Sequence, residues 1–414
     1  MKINSSSSNT SWRSVTLEDL VEQHSGQWGQ ESPVPDAKEM LVLGVGNVTN
    51  EGQLDLEGAT QRFFTTREYD AIAKEGDLLV VKSSGSATNI RSGKTAICPP
   101  ELSGRVACSN FMYRLAVKRD LAEPYLLWLI LNSPMAKDFV RSVIGASTYP
   151  NIKWETYKAF RFSLPPPDEQ KRMAARLREQ MAEVERARAA VQAQLDAAQT
   201  LPAALLRAIF TSPAAQRWPR RRLGDVCQML PARSVASDGD TEVRAITSAC
   251  LTETGFSSAG IKIARMDGDD ANESKLTLGE ILIARSNTPE LVGRVAMFEG
   301  PADGVVASDL TIRLRPADER TGRFFNRYLS FLYLTGYWRE RASGASGTMK
   351  KITRTQLDAL EVPFPPLAEQ QKIATRLDAE LTAARSLRQS LETRLAEIER
   401  LSVALLREAF SGKV

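Results

Sequence analysis

Residues able to do covalent chemistry are scarce in this sequence. A single histidine, His24, stands in 414 residues, with four cysteines at 98, 108, 227 and 250 and no Cys-x-x-Cys among them. A zinc site needs about four Cys, His or carboxylate ligands at short spacing. Histidine-based acid–base or triad catalysis needs an imidazole beside its partners. Ser92-Gly93-Lys94-Thr95 ends like a phosphate-binding loop, but that motif needs a glycine five residues before Gly93, where Thr88 stands. Pro165-Pro166-Pro167-Asp168 is not the Asp/Asn-Pro-Pro-aromatic motif of amino-methyltransferases, and no Gly-rich loop for S-adenosylmethionine follows a strand. The carboxylates lack nuclease-like spacing. No catalytic residue, metal or cofactor is expected in this chain.

What remains is the chemistry of binding. Gly145-Ala146-Ser147 opens a stretch with Tyr149, Asn151, Lys153, Lys158 and Arg161. Gly344-Ala345-Ser346 opens one with Lys350, Lys351 and Arg354, and Arg339 and Arg341 precede it. Loops of small hydroxyl residues with Lys and Arg suit phosphate and base-edge contacts. One such run is an ordinary solvated face; its return at a matching place gives it weight.

The return is part of a larger repeat, which sets the organisation. Pro165, Pro166, Glu169, Gln170, Arg176 and Leu177 recur 200 residues later as Pro365, Pro366, Glu369, Gln370, Arg376 and Leu377. Leu205, Leu206, Arg207 and Phe210 recur as Leu405, Leu406, Arg407 and Phe410. Upstream, Gly76-Asp77-Leu78-Leu79-Val80 echoes Gly279-Glu280-Ile281-Leu282-Ile283, and Gly93-Lys94-Thr95-Ala96 echoes Gly293-Arg294-Val295-Ala296. Trp12 with Leu17–Leu20 echoes Trp218 with Leu223–Val226. The expected order is a disordered tail over 1–11, a head over 12–163, a helical region over 164–212, a second head over 213–363 and a second helical region over 364–414.

Each helical region carries a heptad seam. In the first it runs Leu177, Met181, Val184, Arg188, Val191 and Leu195; in the second Leu377, Leu381, Ala384, Arg388, Leu391, Leu395 and Ile398. The prolines stop the preceding strand, and Glu169 and Glu369 suit a helix start. A narrow seam needs a partner, and two copies related by a pseudo-two-fold would pair antiparallel. Arg188 and Arg388 sit where Leu is usual, either with packed stems and wet heads or as polar sites that fix register. Pro202 is expected to end the first helix, which would leave a rod of about 50 Å.

The heads read as mixed strand and helix. Strands are expected at Leu78–Val81, Val106–Cys108, Met112–Val117, Ile281–Ala284, Arg294–Phe298 and Leu310–Leu314. Helices are expected at Pro124–Val140 and Phe324–Arg341, their aromatics mostly core, with one or two at the ends free to stack on bases. The fold class is therefore α+β: two mixed heads alternating with two long helices paired as an antiparallel coiled coil. Lys plus Arg is 54 against 50 Asp plus Glu, a net charge of +4. That is too weak for a histone-like or membrane-coating protein. The Ser/Asn-rich start is no signal peptide, and the apolar run Tyr125–Leu131 is far short of the roughly 20 residues that span a bilayer. A cytoplasmic location is expected.

Head–helix–head–helix, with Pro-Pro-x-x-Glu-Gln opening each helix and Ala-Leu-Leu-Arg-x-x-Phe closing it, resembles the specificity subunit of a type I restriction-modification enzyme. The resemblance spans essentially the whole chain after the tail. It implies a non-catalytic DNA reader whose heads, the target recognition domains, each bind half of a split asymmetric site while the helices fix the spacer. It also implies two methyltransferase subunits bringing S-adenosylmethionine, and motor-nuclease subunits using ATP and Mg. Mapped onto this chain, the expected DNA contacts in the first head are Lys82, Ser83, Asn89, Arg91, Lys94, Tyr149, Asn151 and Lys153. In the second head they are Arg285, Ser286, Asn287, Arg294, Lys350, Lys351 and Arg354. The modest charge leaves an alternative open: a coiled-coil scaffold whose heads bind protein.

Overall fold

The computed structural model describes residues 12–83, 85–86, 89–144, 150–235, 239–301, 304–344 and 348–410, with only the backbone of Gly85, Ser86 and Asn89. The expected tail over 1–11 lies outside these residues. Two compact units emerge, Met1–Ala190 with Arg394–Val414, and Val191–Thr393. Each unit holds one head, the start of the helix that follows it and the end of the other helix.

The central strand of each head is apolar at every position, and the fold shows why. Leu78 and Val80 join one buried cluster while Leu79 and Val81 join another. In the second head Ile281 and Ile283 face one cluster, and Leu282 and Ala284 a second. Alternate side chains leave opposite faces of a strand, so a strand covered on both sides reads as a continuous apolar run.

Around these strands the two heads share one topology. Four antiparallel strands lie in the order Val21–Ser25, Met112–Val117, Leu78–Val81, Thr95–Ile97 in the first head. The second has Cys227–Leu230, Thr311–Pro316, Ile281–Ala284, Val295–Met297. A three-stranded sheet follows in each, Thr60–Phe64, Lys38–Leu43, Val106–Cys108 and its counterpart Lys262–Met266, Thr241–Ala245, Val305–Val306, each with one parallel pair. Two-stranded pairs tie each head's first strand to its last, Arg13–Thr16 to Arg161–Leu164 and Arg220–Arg222 to Glu361–Pro363. A buried ion pair recurs as well. Arg114 meets Asp77 at 2.6 Å, and Arg313 meets Glu280 at 2.9 Å.

Both expected head helices are broken. The first divides into Pro124–Asn132 and Pro134–Ile144, because Pro134 has no N–H to continue the ladder and holds Ser133 extended. The second divides into Gly322–Leu334 and Tyr337–Arg341 at Gly336, whose φ of 79° is left-handed.

The long helices run Pro167–Phe210 and Leu367–Phe410, 44 residues each. Pro202 therefore does not end the first, contrary to the sequence expectation, and at about 1.5 Å per residue the helix is roughly 66 Å long. An interior proline costs about 3 kcal/mol. Buried Leu195 and Ala198 precede it and buried Leu206 and Phe210 follow, and each large side chain contributes about 1.5–3 kcal/mol. Packing on both flanks outweighs one lost hydrogen bond.

The recurring Pro-Pro-x-x-Glu-Gln has a structural explanation too. The buried amides of Gln170 and Gln370 donate to the carbonyls of Pro165 and Pro365 at 2.9 and 2.8 Å, closing the helix entry. Leu177, Val184, Val191, Leu195, Leu377, Ala384 and Leu391 are buried, while Met181, Leu381, Leu395 and Ile398 are partly so. In the first unit Leu406, Ala409 and Phe410 join the cluster of Ala174 and Leu177; in the second Leu206, Ile209 and Phe210 join that of Ile373, Ala374 and Leu377. End meets start in both, so the pairing is antiparallel. Arg188 and Arg388 are partly exposed, their heads reaching Glu185 at 3.4 Å and Glu253 at 3.5 Å.

Phe210 sits among Phe324, Tyr328 and Phe331, ring centroids 5.2–5.8 Å away. Phe210→Ala should therefore cost about 3–5 kcal/mol in urea denaturation of the second unit, and Leu206→Ala about 2–5 kcal/mol. Losses below about 1 kcal/mol would show that the helix end is peripheral to that core.

Candidate nucleic-acid interface

The sequence-remote candidates of each head meet where the central strand leaves its sheet. In the first head Leu78–Val81 runs out into Lys82 and Ser83. The carbonyl of Lys82 accepts the N–H of Ile152 at 2.8 Å, and Ser83 bridges to Asn151. The turn through Arg91 and Lys94 closes on the same edge: Gly93 N–H donates to Val81, Val81 N–H to Lys94, and the Ser92 hydroxyl to Pro150. Gly93 has φ +91°, and a Cβ there would stand 2.9 Å from Val140, so a side chain fits neither the backbone nor the space. Residues 82–83, 91–94 and 150–153 thus form one surface. Arg91, Asn151 and Lys153 are exposed on it. Asn89 lies in the short strand Asn89–Ile90, and Tyr149 lies outside the described residues.

Lys94 has the most distinctive setting of these. Its ammonium donates to Asn50 Oδ1 and lines a hollow with Asn132, Lys137 and Arg141. Burial, then the Arg91 charge and more weakly that of Lys137, hold its pKa below the usual lysine value, while Glu51 opposes them. A cation in this state is short of counter-charge, and an incoming anion would relieve it. Lys82 Nζ stands 5.4 Å from the ring centroid of Tyr113.

The second head builds the same edge, with Arg285 and Ser286 in the places of Lys82 and Ser83 and a different facing segment. Ile352 N–H donates to the carbonyl of Arg285 at 2.8 Å, and Ser286 and Asn287 pair with Lys351 and Lys350 as antiparallel strands. Gly293 repeats Gly93, with φ +79° and Trp338 where a Cβ would go. Arg285 donates to the Asp309 carbonyl at 3.1 Å, and Arg354 to that of Leu230 at 3.0 Å. Arg354 is pushed below the usual arginine range by burial, then by Arg285, Arg313 and Arg233. Arg294 differs from Lys94. It is tied inward to the Tyr333 hydroxyl at 3.0 Å and the Leu251 carbonyl at 3.3 Å, with Glu253 at 3.9 Å.

Sequence reasoning missed Asn50, Lys137, Arg141 and Arg233. Lys137 and Arg141 are four apart on one helix, a legible spacing, but nothing local places that helix beside Lys94. Other chemistry is sparse. Among the described residues no group of three or more His, Cys, Asp or Glu could hold a metal. All four cysteines are buried free thiols, and burial pushes Cys98, Cys108 and Cys227 up to about 12. His24 lies 3.8 Å from Glu22 and 3.9 Å from Asp70 on an outer strand. No helix of the described residues is long and apolar enough to cross a membrane.

The doubled architecture has a match among known families. The family model for the type I restriction modification DNA specificity domain matches twice, over residues 9–191 and 216–399. The chain belongs to this family. As a type I specificity subunit it is 22% identical over 366 residues to the StySPI specificity subunit of Salmonella potsdam, covering 84% of this chain and 76% of that one. It is 28% identical over 111 residues to the putative MjaX specificity subunit of Methanocaldococcus jannaschii, covering 26% and 25%. A chain solved in work on complex assembly and conformational transition of the type I R-M system superposes with a TM-score of 0.74 at 20% identity. The HsdS subunit from Thermoanaerobacter tengcongensis superposes at 0.62 and 21%. Both cover 98% of each chain and share the specificity-subunit fold.

The depressed Lys94 should carry more free amine at mildly alkaline pH than an ordinary lysine. Acylation by a water-soluble ester, quantified by mass spectrometry, should modify it readily. Arg91→Ala removes a like charge, raises the Lys94 pKa and should slow that reaction. An unchanged rate would mean that the neighbouring charge does not act on Lys94.

Proposed function

We propose that this specificity subunit reads DNA for a type I restriction-modification complex. Each head binds one half of a bipartite asymmetric site, and the helical pair sets the unread spacer. Two methyltransferase subunits dock along the helices and supply S-adenosylmethionine and the adenine-methylating chemistry. Two motor-nuclease subunits, using ATP and Mg, cut unmodified DNA. The chain itself positions and does not catalyse. The observation that carries this reading is the edge built twice: one backbone frame presents Lys82, Ser83, Asn151 and Lys153 in one head and Arg285, Ser286, Lys350 and Lys351 in the other. The strand exit keeps a cation and a serine in both heads while the facing segment changes from Asn151 and Lys153 to Lys350 and Lys351, and a shared frame with a variable facing segment is what two readers of different sequences need. Cations there hold phosphates, and amides and hydroxyls reach base edges.

The test uses the subunit assembled with its methyltransferase partners. Duplex affinity should fall steeply with salt, and Lys350→Ala with Lys351→Ala should flatten the log–log slope by about 0.9 for each phosphate that is no longer neutralised. An unchanged slope removes this strand pair from the interface. A parent complex with no salt dependence favours heads that bind protein. One heptad added at matching places in both helices, about 10 Å, should lengthen the spacer by roughly three base pairs with both half-sites intact. Altered half-sites would contradict the role given to the helices.

A further inference from the structure

Two large apolar side chains stand in solvent at the same place in the two heads. Phe111 is 46% exposed and Leu310 is 48% exposed. Each is the third residue of a tight turn, Ser109-Asn110-Phe111-Met112 and Ser308-Asp309-Leu310-Thr311. Both turns close with an N–H to carbonyl bond of 3.0 Å from the fourth residue to the first. The Phe111 carbonyl accepts the N–H of Lys82 at 2.9 Å, and the Leu310 carbonyl accepts that of Arg285 at 2.8 Å. Each apolar tip is therefore bonded to the first basic residue after the buried central strand.

A lone exposed hydrophobe is ordinary on any protein surface. The same one built twice, at the one turn bonded to the strand exit in each head, calls for a function. Its surroundings indicate which. In the second head Arg285 also donates to the Asp309 carbonyl inside the turn, and Arg354 lies close enough to feel its charge. In the first, Trp28 packs edge-on against Phe111 at 6.4 Å and widens the apolar tip. An apolar tip bonded to a basic residue complements a duplex, which offers phosphates outside and base faces and methyl groups within.

We propose that Phe111 and Leu310 are base-contacting residues of the two half-sites, and that they set sequence preference while the adjacent cations hold the backbone. The inference rests on the DNA-reading function proposed above. It separates cleanly from the role of the cations, because an apolar contact releases no counterions and leaves the salt slope unchanged.

The experiment takes the complex with its methyltransferase partners and compares parent, Phe111→Ala, Leu310→Ala, Phe111→Leu and Leu310→Phe. Binding is scored against duplexes substituted singly along each half-site, across a range of salt. Phe111→Ala should lose about 5- to 150-fold of discrimination at one or more base pairs of a single half-site, the range of one mismatch. The other half-site and the salt slope should not change. Leu310→Ala should do the same to the other half-site. The size-changing variants retain an apolar tip and should shift preference without unfolding, which separates base contact from reduced stability. Alanine variants that keep full discrimination, or that lose affinity equally on all sequences with a flatter slope, overturn the proposal. A parent complex with no salt-dependent duplex binding removes the DNA reading first, and this inference with it.

Discussion

Neither head closes its own core. In the second unit Leu206 and Phe210, the last turns of the helix that began at the first head, complete the cluster holding Phe324, Leu329 and Leu377. In the first unit Leu406 does the same beside Leu126, Leu164 and Leu177. A helix that starts at one head and must end in the core of the other unit can pair with its repeat only antiparallel. The long seam follows from this, and so does the tolerance of Pro202, held between buried residues on either side. The seam is narrow, and its single polar position is met by Arg188 and Arg388, whose charged heads find carboxylates at its rim.

Within each head a second constraint fixes the proposed reading edge. The central strand is buried on both faces, so a slipped register would set side chains of the wrong size against two close-packed clusters. The ion pairs Arg114–Asp77 and Arg313–Glu280 sit where that strand enters and pairs with its neighbour. Removing one partner of such a pair strands a buried charge, at a cost of about 3–5 kcal/mol. The residues that leave the strand, Lys82 and Arg285, therefore emerge at a defined point with defined backbone partners. Rigid frame and variable side chain are separated along a few residues of chain.

Much of this was legible in the sequence because the chain is written twice. The central strands showed as apolar runs, the seam as a heptad, and the head–helix order as an offset of 200 residues. The rest depends on contacts between distant segments. Gln170 and Gln370 were visible as repeats, but their role needs the Pro165 and Pro365 carbonyls brought under them. Pro202 was read by its local cost, which tertiary packing exceeds. The break at Ser133 was signalled by Pro134, and the apolar pattern on both sides concealed it. Lys94 and Arg294 align in sequence yet differ in setting, one lining an open hollow and the other tied to Tyr333. Phe111 gave no periodic signal, and Leu310 was expected to open a strand that in fact begins at Thr311, so the shared turn shows only in the fold.

The central claim is that one chain carries two independent readers on a shared frame. The most direct measurement is a single-molecule methylome of the source cell with the gene intact, deleted, and carrying a second head exchanged for that of another specificity subunit. The expected result is that one bipartite adenine-methylation motif vanishes on deletion and that the exchange alters one half of it only. Methylation unchanged by deletion, or an exchange that alters both halves together, would contradict the account.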